Sequence, residues 1–572
     1  MSKVIKGLII LLGVTLVIGL MGSLVLAGEK ELTPYEWFQL TTKDKLKYKT
    51  VEIRAGRTFI EEDIIENAEK AIKEGVHGGD VWMPIDMYSK TLFEIYHPKV
   101  KIIGVSTPWL PPDKQVEKTM SELASGSAPS FYKVYYMGGP QTWIKKGLAA
   151  DITDLVEDWD QASHMLSTIG GLWEAACWKD GRCYSVPGLG IPARCNVFQF
   201  RRDWFKEIGI FNEEGKPGPS DNWTWNDFRE IAKKLTDSKK KRWGWAYGPT
   251  LFQSYSEPFC IYFGYGGQPY IVRVPDKSGK YTWRFEVTPP LIKTLEFMKD
   301  MIWKDKSVVT TSDATIVSAW KKDFNGGRAG MDYGCSNWFM GDIVNQPYLY
   351  SKTIPTSEFV GIANIPKGIY GLMLNTISTE LWGFDPTLNK EQLKAAFEWI
   401  DWNEVGRGKT LSLERSLDLL KLNKRYYPLW DMISDYVGWH YKIREIPKGM
   451  PVVTEFLPVD TLKTLAEGIK IPSISSCYGP SGLTLSRAGE EEKILTGLFQ
   501  TIVSNPNVNV QTELKKTGDL LNSTVYNEKI ENDAKLLKEY YTQLDSFYKK
   551  YYPEWYSSKE YKKLFEEYYK CW

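Results

Sequence analysis

Between Val100 and Thr153 the chain changes its hydrophobic period repeatedly, and this constrains its fold more than any other feature. A strand pattern at 100–105 leads to Thr107-Pro108-Trp109 and a helical pattern from Lys114 to Ser125. A second strand pattern, 130–136, runs into Gly138-Gly139-Pro140 and another helical stretch, 140–147. Earlier, Thr50 to Arg54 reads as a strand, and 61–76 reads as a helix with Ile64, Ile65, Ala68 and Ile72 on one face. Strands alternating with helices specify a parallel sheet in an α/β domain. Ligands on such sheets sit beyond the carboxyl ends of the strands, which points to Trp109 and to the stretch from Tyr135 to Gly139.

At 572 residues the chain exceeds one ordinary core, so two domains or more are expected. Thr224 can cap a helix running to Leu235, and 390–402 reads as a further amphipathic helix. The tail from about Glu528 is rich in helix formers interleaved with aromatic residues. Without an obvious linker, the chain is expected to cross between its two lobes more than once.

Lys+Arg at 72 against Asp+Glu at 71 leaves no field to attract nucleic acid, so no nucleic-acid partner is expected. Aromatic residues make up 14% of the chain, which favours carbohydrate binding because Tyr and Trp present flat apolar faces to sugar rings. Lys3 and Lys6 precede an uncharged run from Gly7 to Ala27 that ends Val25-Leu26-Ala27, the pattern of a secretory signal. The run is also long enough to remain as an uncleaved membrane anchor. Cys177 and Cys183 flank an Asp180-Gly181 turn, where either a disulfide or two buried thiols would fit.

Catalytic signatures are poorly formed. Gly406 to Thr410 ends like a phosphate-binding loop, but Asn403 stands where its first glycine is needed. Gly188-Leu189-Gly190-Ile191-Pro192-Ala193 precedes a strand pattern at 196–200 rather than a helix offering its N-terminus to pyrophosphate. Gly479 to Gly482 lacks the spacing of a nucleophile elbow. The four histidines, His77, His97, His164 and His440, show no metal-ligand spacing, so no metal and no cofactor are expected. A pair of carboxylates meeting only in space keeps an exported carbohydrate-active enzyme as an alternative.

Several segments, in order, resemble the family 1 extracellular solute-binding proteins, the group containing maltose-binding protein. They are the turn Ala124 to Ser130, the stretches Gly147 to Thr153 and Asp180 to Pro187, Arg201 to Ile210, Trp223 to Leu235, and Phe324 to Met331 followed by Gly334 to Trp338. The resemblance runs from near Val100 to about Asn527. It implies a two-lobed periplasmic binding protein fold of the type II-like kind, α/β in class. The lobes would be joined by hinge-crossing strands near 191–196 and 371–377, with extra C-terminal helices. The implied division is a signal peptide or anchor at 1–27, a first lobe from 28–192 and 373–445, and a second lobe from 193–372 and 446–572 including the tail.

The resemblance further implies a monomer that captures a sugar outside the cytoplasmic membrane and delivers it to the permease of an ABC importer, without chemistry. By position, Tyr135 matches a first-lobe stacking aromatic, and Trp338 and Tyr478 fall near second-lobe ones. Glu257 and Phe259 match a Glu-Pro-Tyr that lines the sugar site. Gly138 and Gly139 stand where the maltose binder has an acid and an arginine, which argues against maltose itself. Trp109, Trp143, Tyr184, Arg194 and Trp382 fall near expected strand ends or crossings, where core packing for the aromatics and an ion pair for Arg194 compete with ligand contact. A peptide, polyamine or polyol phosphate is the alternative ligand within the binding class.

Overall fold

The computed structural model describes, with short gaps, residues 51–55, 90–105, 110–134, 140–162, 177–187, 196–247, 271–275, 281–310, 323–335, 349–377, 381–404, 463–464, 473–476, 488–526 and 542–564. Its principal strands are β1 (Val51–Ala55), β2 (Val100–Gly104), β3 (Phe131–Val134), β4 (Ser185–Pro187), β5 (Asn196–Arg201) and β6 (Trp243–Tyr247). They continue as β7 (Val308–Thr310), β8 (Ala329–Cys335), β9 (Val360–Asn364), β10 (Asn375–Ile377), β11 (Leu381–Phe384) and β12 (Ser473–Ser476). The helices used below are α1 (Pro112–Ser125), α2 (Trp225–Leu235), α3 (Pro289–Lys299), α4 (Lys390–Glu404), α5 (Ala488–Ser504), α6 (Val510–Thr524), α7 (Pro553–Ser557) and α8 (Lys559–Leu564).

Two five-stranded sheets organise the molecule, ordered β2-β1-β3-β11-β4 and β7-β6-β8-β5-β9. In the first, β1 pairs parallel with β2 and β3, and β11 runs antiparallel to β3 and β4. In the second, β6 pairs parallel with β7 and β8, and β5 runs antiparallel to β8 and β9. The chain therefore leaves the first sheet after β4, enters the second at β5, and returns between β9 and β11. Inside the return, β10 pairs in parallel with β12.

Each sheet has its own core, and together they make two lobes. In β1 the alternating burial of Val51, Ile53 and Ala55 sets one face inward, where α4 adds Ala396, Phe397, Trp399 and Trp402. Asn389 starts α4 by accepting the Gln392 amide at 2.9 Å, while the Gln392 side chain takes the Asn389 amide. In the second lobe Phe198 meets Trp223, Phe228 and Tyr333, and Phe228 meets Trp245 edge-on. Thr224 and Asp227 form a reciprocal capping box at the start of α2. Helices α3, α5 and α6 join this core, and so do Tyr548, Trp555 and Tyr561 of the tail.

Tertiary structure agrees with the local patterns in several places. Strand β1 covers Val51–Ala55, and α1 covers Pro112–Ser125. The hairpin at 178–183 turns on Asp180 and Gly181, both at positive φ (53° and 76°). Cys177 and Cys183 are both fully buried as thiols; the Cys183 Sγ donates to the Ser185 carbonyl at 3.4 Å, and burial beside Cys183 pushes the Cys177 thiol well up. The signal or anchor at 1–27, the helix at 61–76 and the loop at 406–410 lie outside the described residues. Among the described residues no helix is long and apolar enough to cross a membrane.

Candidate functional site

The carboxyl ends of the parallel strands mark where an α/β lobe presents ligand-contacting loops. In the first lobe these ends are Ala55, Gly104 and Val134; in the second they are Tyr247, Thr310 and Cys335. Tyr135 is the residue after β3, Gly138 follows shortly, Trp109 comes five residues after β2, and Trp338 three after β8. Arg194 falls in the crossing between β4 and β5. These five residues, with Glu257, Phe259 and Tyr478, lie outside the described residues.

The two remaining expected contacts are described, and neither reaches this edge as a stacking platform. Trp382 is 3% exposed and meets Phe131 edge-on at 5.7 Å within the first-lobe core. A ring enclosed this way packs its own lobe. Tyr184 precedes β4, whose Pro187 and Ser185 pair with Leu381 and Gly383 of β11. Since Leu381 also pairs with Val134, the cleft-side end of β4 is Pro187, and Tyr184 sits three residues, roughly 10 Å, farther down. There it is half-buried, and its hydroxyl is pushed up by burial and by Asp151.

Asp151 itself organises that far end. Slight burial raises its carboxyl, but the Thr153 hydroxyl and amide and the Arg182 guanidinium bring it below its usual value. Arg182 Nη1 lies 3.0 Å from Asp151 Oδ2, and the Thr153 hydroxyl accepts the Cys183 amide at 2.9 Å. The group staples the hairpin to the lobe. Trp143 is likewise core, fully buried and stacked on Tyr132 at 5.1 Å. His97 stacks on Phe93 and faces Glu398 at 3.4 Å.

Two buried carboxyl groups in the second lobe feel each other's charge. Asp323 and Asp332 are 0% and 1% exposed, and burial pushes Asp332 well up, helped by Asp323 and opposed by the Tyr333 amide. Arg328 Nε lies 3.2 Å from Asp323 Oδ1. A glycoside could not reach this pair without opening the core. No group of three or more His, Cys, Asp or Glu among the described residues could hold a metal ion.

Residues 94–402 match the bacterial extracellular solute-binding protein family, and the chain belongs to it. The match ends at residue 402, short of Asn527. The fold is that of the two-lobed ABC-transporter binding proteins. An ABC substrate-binding protein, Lmo0181 of Listeria monocytogenes, solved in complex with cycloalternan, is 16% identical; the alignment covers 83% of this chain and 98% of that one at a TM-score of 0.53. The GacH receptor of Streptomyces glaucescens, solved with acarbose, is 14% identical over 84% and 99% of the two chains, at 0.53. Maltose-bound MalE3 of T. maritima is 15% identical over 83% and 99%, at 0.51. None of the curated proteins compared with the chain shows significant sequence similarity.

Proposed function

We propose that the chain is the extracytoplasmic subunit of an ABC importer that captures an oligosaccharide by closing its two lobes and passes it unchanged to a membrane permease. The observation that carries this reading is the family match over 94–402, on a fold that takes in nearly the whole of proteins solved with cycloalternan, acarbose and maltose and 83–84% of this chain. Closure is a population shift set by how much better the ligand binds the closed state. Buried sugar hydroxyls need polar partners while the ring faces need apolar cover.

In this reading Tyr135 and Trp338 stack on the sugar from opposite lobes. Trp109, Gly138, Arg194, Glu257, Phe259 and Tyr478 complete the site. Residues 1–27 direct export or anchor the chain. The lobes divide at the two crossings, 28–192 and 373–445 against 193–372 and 446–572, and the protein works as a monomer. Tyr184 and Trp382 act as structural residues.

The test is a thermal-shift screen of the chain from Gly28 onward against mono- and oligosaccharides, peptides and polyol phosphates. A ligand at about 100 times its Kd stabilises by roughly 2.7 kcal/mol, which is visible as a raised midpoint. A sugar that shifts the midpoint and is recovered intact supports the proposal, and its hydrolysis would instead identify an enzyme. A shift with peptides or polyol phosphates alone would overturn the carbohydrate reading. Trp338→Ala and Tyr135→Ala should each weaken sugar binding about tenfold, the loss of about 1.4 kcal/mol of ring stacking.

A further inference from the structure

The return crossing begins where β9 ends, at Asn364 in the second sheet, and finishes at Leu381 in the first. Its early part is not left to bridge the lobes. At 368–372 the chain folds on itself: the Gly368 amide donates to the Leu372 carbonyl at 2.7 Å, with Tyr370 and Gly371 at positive φ (54° and 68°). Leu372 is fully buried in the second-lobe core, in the cluster that holds Tyr548, Trp555 and Tyr561 of the tail.

The tail grips this same stretch. The Tyr552 hydroxyl donates to the Met373 carbonyl and accepts the Met373 amide at 3.4 Å, so one side chain satisfies both backbone groups of that residue. The Tyr370 hydroxyl donates to Glu560 at 2.8 Å, and its ring lies 5.7 Å from Trp555. Tyr370 is 41% exposed, so this outer contact is weaker than the half-buried one at Tyr552. Residues 553–564 supply α7 and α8, beyond the end of the family match at 402.

We infer that the C-terminal tail is a hinge anchor: Tyr552, with Tyr370 and Glu560 as an outer clasp, fixes 369–373 to the second lobe and confines the return hinge to the stretch between Met373 and Leu381. The second lobe itself holds the chain as far as Lys367, whose amide donates to the Trp223 carbonyl at 2.8 Å, so without the anchor the crossing would run from Lys367 to Leu381 rather than from Met373. A longer free crossing has more conformations to lose when the lobes close, so the anchor favours ligand retention. Tyr552, Tyr370 and Glu560 are positioning residues: Tyr552 holds Met373, and Glu560 holds Tyr370. This consequence for affinity rests on the lobe-closure reading above; the anchoring itself does not.

Amide exchange read by mass spectrometry on the full, unliganded chain tests the anchor directly. Tyr552→Phe should speed exchange across 369–377 about fivefold, the loss of one hydrogen bond. Tyr561→Phe, which removes the 2.8 Å bond to Asp545 inside the tail, should leave that stretch unchanged. Wild-type exchange in Tyr552→Phe, or equal acceleration by both variants, overturns the anchor. Cycloalternan affinity is the second readout, and Tyr370→Phe/Tyr552→Phe should weaken it about twofold to threefold. Faster exchange with unchanged affinity overturns control of closure. If cycloalternan and the other sugars fail to bind the wild type, the carbohydrate reading falls while the exchange result still decides the anchor.

Discussion

Asp332 shows what a single buried acid does to this molecule. Its side chain is enclosed on β8, accepts the Tyr333 amide at 2.8 Å, and is held well above the usual carboxylate range by burial and by Asp323. The unfolded chain releases this proton near pH 4, whereas the folded chain keeps it. The folded state therefore binds more protons above pH 4, and the contribution of Asp332 to stability falls as pH rises from there. Asp332→Asn keeps an acceptor for the Tyr333 amide and carries no titrating proton. Its melting midpoint should exceed the wild type's at pH 7, and the difference should shrink toward pH 4 in a calorimetric series. Arg229 is the opposite case, a charge that belongs where it lies. It reaches Asp305 through both Nε and Nη2, and Asp300 at 3.0 Å, tying α2 to the turn after α3. Asp305 is 7% exposed, so Arg229→Met strands a buried carboxylate and should cost about 2–4 kcal/mol in urea unfolding.

At the scale of elements, the packing of α2 on β6 depends on a missing side chain. A Cβ on Gly244 would lie 2.1 Å from the Ala232 carbonyl oxygen, a backbone atom of a helix that cannot step aside. Gly244→Ala should destabilise by on the order of 3 kcal/mol, measured as a lowered urea midpoint at unchanged slope. Helix α2 itself is legible in the sequence, because Thr224 and Asp227 mark its start and its apolar face repeats through Phe228, Ile231, Ala232 and Leu235. Strand β1 and helix α4 are legible for the same reason: each carries its period and its ends locally. The order of the sheets is not. Strands β9 and β11 are separated only by short β10 yet lie in different sheets, and the strands they pair with, β5 and β3, lie about 160 and about 250 positions earlier in the chain. The site is legible only as loops after strands. Trp382 and Trp143 have the same side chain that stacks on sugars, and only burial shows that their rings pack cores instead. Tyr184 needs the strand register, since sequence alone does not say which end of β4 faces the ligand.

At the scale of the whole molecule, two separate cores joined by crossings should unfold as two units. The first is built on β1, β3, β11 and α4; the second combines its sheet with α3, α5, α6 and the tail. Calorimetry of the unliganded protein should therefore resolve two transitions, and a cleft ligand, binding only when both lobes are folded, should draw them together. Trp555 assigns them. It is 1% exposed and packs against Tyr548 and Tyr561 in the second core, more than 150 residues beyond the family match. Trp555→Ala should remove about 3–5 kcal/mol from that core alone and lower one transition by about 10 °C. The other should stay in place, because the first-lobe core residues described form a cluster of their own. If both transitions fell together, the lobes would be a single cooperative unit and the tail a support for the whole molecule. A fall in one only would make the tail part of the second lobe's fold, which is what lets it hold the hinge from that side.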